Sequence, residues 1–117
     1  MSAHDINKHR FNDDCMIIET GQLLDNENAE NLSTLLADIR SQGFCRVIVD
    51  MKSLEFISSA GVGAILGSVE IFREALGDII LCNARENIIH VLDVLDLKEY
   101  LTIRATDADA RQMCQIK

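Results

Sequence analysis

The sequence predicts an α/β domain: a mixed, mostly parallel sheet of four or five strands with about four helices packed mainly on one face. Three observations point there. Short β-branched runs alternate along the chain with segments whose apolar residues recur at helical spacing, in the order β-β-α-β-α-β-α-β-α. Val47, Ile48 and Val49 form an uninterrupted apolar run, as expected of a strand covered on both faces in a parallel sheet. The chain of 117 residues is 48% hydrophobic and contains no proline and no linker-like stretch, enough for one core without disulfides or metal. Residues 1–117 are therefore expected to form a single domain, with 1–5 frayed.

Taken in order, residues 1–14 are polar apart from Ile6 and Phe11 and read as a frayed start followed by a weak edge strand. Residues 15–20, CMIIET, are a clearer strand that Gly21 ends, and the two can pair as a hairpin. The first helix is expected to be capped by Asp25 or Asn26, with Glu27 and Glu30 at the positive end of its dipole and Ala29, Leu32, Leu36 and Ile39 as its apolar stripe. Gly43 stops it. Residues 46–51 form the central strand, after which the period changes from strand to helix between Phe56 and Ala60.

The second helix opens at Ser58 and Ser59, where a serine oxygen can accept from a free backbone N–H of the first turn. Val62, Ile65, Leu66, Val69 and Phe72 give it an apolar stripe, and it ends near Leu76 before Gly77. Gly61, Gly63 and Gly67 each cost about 1 kcal/mol relative to alanine inside a helix. Gly63 is expected at the closest helix contact, whereas Gly61 is expected to leave the serines open to another protein. Residues 78–83 are a further strand, and 87–95 a helix with Ile88, Val91, Leu92 and Leu95 on one side. A short edge strand at 101–104 precedes a last helix that Thr106 and Asp109 open as an approximate capping box, with Met113 and Ile116 as packing residues.

Composition excludes several functions. A net charge of −8 and 4% aromatic content argue against direct nucleic-acid binding and favour a protein partner with a basic patch. No apolar stretch is long enough to insert in a membrane, and the polar start lacks a secretory segment, so a cytoplasmic location is expected. Cys15, Cys45, Cys82 and Cys114 are widely spaced without a C-x-x-C, which indicates neither a zinc site nor a redox pair; Cys45 and Cys82 read as small buried hydrophobes. G-x-S-x-G is absent and His4, His9 and His90 lack the context of a general base, so no catalytic residue, metal ligand or cofactor site is assigned. By residue chemistry alone the serine pair reads as a helix cap. A phosphate-binding helix mouth, as in a small nucleotide-binding protein, stays open as an alternative, although the P-loop and Rossmann glycine patterns are missing.

Asp50, Leu54, Phe56, Ile57, Ser58, Ser59, Ala60, Gly61, Val62 and Gly63 follow the pattern D-x-x-x-[LV]-x-[FY]-[ILM]-[DS]-S-[AS]-G-[LV]-G. This resembles the signature of the STAS domain, and nearly the whole chain is similar to single-domain bacterial anti-sigma-factor antagonists. The resemblance implies that the unphosphorylated protein binds an anti-sigma factor and frees a sigma factor. It further implies that this partner, a serine kinase of the GHKL ATPase type, phosphorylates Ser59, and that a PP2C-type phosphatase reverses the modification. Ser58 stands where aspartate is frequent and is the alternative acceptor. Upstream, Gly21, Gln22, Leu23, Leu24 and Asp25 hold one residue more than the G-x-L-D of the family, and Asp96 stands where glycine is common. The implied partner surface comprises Leu23, Leu24, Asp25, Asn26 and Asn28 together with Ser58, Ser59, Ala60, Gly61, Val62 and Gly63. A stand-alone STAS module of a transporter or signalling scaffold is the alternative within the same family.

Overall fold

The computed structural model describes residues 2–115. Strands β1 (Ile6–Arg10), β2 (Cys15–Thr20), β4 (Arg46–Asp50), β6 (Asp78–Cys82) and β7 (Thr102–Arg104) form one sheet in the order β1-β2-β4-β6-β7. Only the β1–β2 hairpin is antiparallel; the pairs β2–β4, β4–β6 and β6–β7 are parallel. The expected mixed, mostly parallel sheet is what forms. Two short strands, β3 (Leu23–Leu24) and β5 (Phe56–Ile57), form a separate parallel pair that the sequence does not reveal, because two residues are too few to show a period.

The central strand β4 is covered on both sides. Val47 and Val49 face a large core with Met16, Ile18, Ile79 and Leu81, closed by α1 (Ala29–Ser41), α2 (Ser59–Glu74) and α3 (Glu86–Val94). Ile48 faces the opposite side with Cys15, Ile17, Ile80 and Cys82, closed by the short α4 (Asp107–Met113) through Ala110. This two-sided burial explains why the run 47–49 shows no polar alternation.

Several local expectations are corrected. Gly63 is exposed and a Cβ there would meet nothing within 4 Å, so it is no packing contact; Gly61 is the buried glycine. Residues 3–5, expected to fray, are tied down: Leu23 N donates to the Ala3 carbonyl at 3.0 Å, and Asp5 Oδ2 accepts from Ser2 N. Helix α1 begins at Ala29 after Asn28, not at a cap of Asp25 or Asn26. Cys45 is half-buried rather than buried, and Met113 is 39% exposed. Ile116 lies outside the described residues.

The turn after α2 is made differently from the glycine stop read in the sequence. Leu76, not Gly77, takes the left-handed conformation (φ 64°), and Asp96, at the position where the resemblance leads one to expect glycine, does the same after α3 (φ 58°).

Candidate functional site

The site is built where two loops are stitched together at the mouth of α2. Glu55 N and Phe56 N donate to the Gln22 carbonyl, and Ser58 N donates to the Leu24 carbonyl at 2.9 Å. The β3–β5 pairing sets Leu23 opposite Phe56 and Leu24 opposite Ile57. The two segments singled out from the sequence, 23–28 and 58–63, are thereby one surface. Gly61 is what permits their approach: a Cβ at this position would lie 2.7 Å from the Leu24 carbonyl oxygen. The glycine does not bare the serines; it lets the helix seat against the neighbouring loop.

Ser58 and Ser59 have different environments. Ser58 is the N-cap of α2, in extended conformation, and its Oγ accepts from Gly61 N at 3.3 Å. Aspartate would cap in the same way, so the departure from the family pattern preserves the function of the position. Ser59 is the first residue of the helix and is exposed, at the positive end of the helix dipole. Ser58→Ala is expected to destabilise the domain by about 1 kcal/mol through loss of the cap, and Ser58→Asp to restore most of it, read as urea midpoints.

Beside the serines runs an open apolar groove of about 420 Å³, with Ile57, Ser58, Ser59 and Val62 on one wall and His90, Val91, Val94 and Leu95 on the other. It continues past Ser59 into a hollow of about 330 Å³ that Gly63, Leu66, Leu95 and Leu97 also line. Val94 is 67% and Leu95 50% exposed. The spacing of Ile88, Val91, Leu92 and Leu95 marks a helix but does not show the α3 wall, since α3 buries only Ile88 and Leu92. The adjacent apolar pair Val94–Leu95 at a helix end was the available signal. Among the described residues the groove lining carries no Lys or Arg that could clamp a phosphate chain, and His90 is its one basic side chain. Among the described residues no group of three or more His, Cys, Asp or Glu side chains is placed to hold a metal.

Of the remaining residues expected on the partner surface, Asn26, Ala60 and Gly63 are exposed and Leu23 and Asp25 are partly so, whereas Leu24, Asn28, Gly61 and Val62 are buried. Asn28 shapes the loop from within: its Oδ1 accepts from Asp25 N, and its Nδ2 donates to the Leu23 and His4 carbonyls. His4 reinforces the same loop from outside, with Nε2 3.1 Å from both oxygens of Asp25 and 3.6 Å from Glu27.

The hydrogen bond with Asp25 raises the His4 pKa above 6.5, helped by the charge of Glu27, and the same bond lowers the Asp25 carboxyl. A raised histidine contributes fully below its ordinary value and loses that contribution as pH rises through the folded one. A lowered carboxylate contributes above its ordinary value and loses it as pH falls. The loop is therefore expected to be held best between the ordinary Asp and His values, about 4 to 6.5. Amide-exchange protection at Leu23 and Glu27 should decline on raising pH through the His4 titration, and His4→Gln should flatten that profile.

The sequence profile of the STAS domain matches residues 8–110. BtrV of Bordetella bronchiseptica, which is named among anti-sigma factor antagonists, is 33% identical over 81 residues, 69% of this chain and 67% of its own length. In fold, the chain is similar to an anti-sigma factor antagonist of Thermotoga maritima (TM-score 0.83, 21% identity, 92% of each chain). It is likewise similar to the Bacillus cell fate determinant SpoIIAA in its phosphorylated form (TM-score 0.77, 21% identity, 95% of this chain and all of that one). No helix among the described residues is long and apolar enough to cross a membrane. Profile, sequence relative and architecture agree: the chain belongs to the STAS domain family.

Proposed function

We propose that the protein is an anti-sigma-factor antagonist that works by partner switching. Unphosphorylated, it binds an anti-sigma factor through the mouth of α2 and the adjoining groove, which frees a sigma factor. The same partner, a serine kinase of the GHKL ATPase type, phosphorylates Ser59 and is released; a PP2C-type phosphatase restores the binding form. The main support is the division of labour between the serines. The Ser58 oxygen is engaged as the cap, while Ser59 stands exposed one residue further on, next to an apolar groove suited to a protein surface.

The protein supplies the acceptor hydroxyl, and the metal, nucleotide clamp and general base belong to the kinase. Asp93 and Asp96 flank the exposed Val94–Leu95 pair in sequence and Glu27 lies on the adjoining loop, so a partner with an apolar centre and a basic rim fits this face. The test is to incubate wild type, Ser58→Ala and Ser59→Ala with the encoded kinase and Mg-ATP and to localise phosphate by peptide mass spectrometry. Ser59→Ala should abolish labelling and Ser58→Ala should retain it. Labelling confined to Ser58 would move the acceptor, and no labelling by any kinase of this type would favour a STAS module serving another assembly.

A further inference from the structure

On the face of the sheet opposite α1 and α2, Cys15 at the start of β2 and Cys114 just after α4 come together. Both are wholly buried in the small cluster beneath α4. Two residues stitch their backbones. Asn12 donates its N–H to the Cys15 carbonyl at 3.2 Å and its side-chain amide to the Cys114 carbonyl at 2.7 Å. Arg46, opposite Cys15 in the β2–β4 register, reaches the Met113 carbonyl at 2.8 Å.

Both side chains pack in this one cluster, where the Cys15 Sγ donates to the Met16 carbonyl at 3.6 Å. The neighbouring Cys15 thiol and the Arg46 guanidinium lower the Cys114 thiol, while the proximity of Cys114 and burial push the Cys15 thiol up. Cys114 is thereby the more readily ionised thiol of the two. The remaining cysteines lack this arrangement: burial pushes the Cys82 thiol up to about 12, and Cys45 lies half-buried outside the cluster.

We propose that Cys15 and Cys114 are a modification site, a thiol pair that a peroxide converts into an intramolecular disulfide tying the start of β2 to the end of α4. The Cys114 sulfur attacks one peroxide oxygen; the O–O bond breaks, one water leaves after protonation, and a sulfenic acid remains. The Cys15 sulfur then attacks that sulfur, the S–O bond breaks, and the hydroxyl leaves with the Cys15 proton as a second water. Two thiols lose two electrons, and the peroxide takes them up. Access requires only local opening of the last turn of a seven-residue helix, since Met113 and Gln115 on either side of Cys114 are already exposed.

Trypsin separates the four cysteines onto peptides 11–40, 41–46, 74–85 and 112–117, which makes the linkage directly readable. The full-length Cys45→Ser variant, free of the most accessible thiol, is treated with hydrogen peroxide, alkylated and digested without reductant. The expected product is 11–40 linked to 112–117, with two of the three thiols lost and regained with dithiothreitol. Cys15→Ser should instead leave a Cys114 sulfenic acid that dimedone traps. Recovery of 112–117 unmodified at a peroxide dose that oxidises Cys45 in the wild type, or its linkage to 74–85, would overturn the proposal.

Discussion

Gly77→Ala is expected to destabilise the domain by about 3 kcal/mol, the upper end of what overpacking by one methyl produces. The added Cβ would lie 1.6 Å from the Cys45 carbonyl oxygen, which is backbone and cannot rotate away. That carbonyl accepts from Asp78 N at 3.1 Å and so opens the β4–β6 ladder, whose first pair is Arg46 with Asp78. Relieving the clash means separating the two central strands at their start. The urea midpoint should fall with the m-value unchanged. Gly63→Ala, by contrast, should raise stability by up to about 1 kcal/mol, because its Cβ meets nothing and alanine is the better helix former. Equal stability of wild type and Gly77→Ala would show that the strands part freely at this point.

These glycines show which parts of the structure were legible in the sequence. The element order was readable because each long segment carries its own period: α1 buries Ala29, Leu32, Leu36 and Ile39, the very stripe the spacing picks out. The Ser58 cap was readable because serine at a change of period has few other local uses. Which glycine faces a neighbour was not readable. Gly61 and Gly63 are two residues apart on one helix, and their roles depend on where the Leu24 carbonyl falls, a fact set by the two-residue β3–β5 pairing. The same limit hid the α3 wall of the groove, since Leu95 fits an apolar stripe whether or not anything covers it. Cys15 and Cys114 are 99 positions apart, and only the fold brings them together.

Phosphorylation at Ser59 is expected to weaken binding of the unmodified protein's anti-sigma partner at least a hundredfold, about 3 kcal/mol. The phosphoryl group adds about −1.5 to −2 charges at pH 7 to a residue that lines both the apolar groove and the hollow beyond it. In the free protein that charge is hydrated and sits at the positive end of α2, a favourable place for an anion. A partner fitted to Val62, Val94 and Leu95 must strip the hydration without supplying matching charge, and the loss appears only in the complex. The fold need not change. Ser59→Ala should bind like wild type, since the hydroxyl is exposed and the cap is on Ser58, whereas Ser59→Asp should lose less than the phosphoprotein because it adds a single charge. Leu95→Asp should reproduce a loss of at least tenfold without unfolding the domain, because the side chain is half exposed before binding. Titration calorimetry with homogeneous unmodified and phosphorylated protein decides it: affinities within threefold of one another would place the partner away from α2, and the groove would then have to serve a different contact.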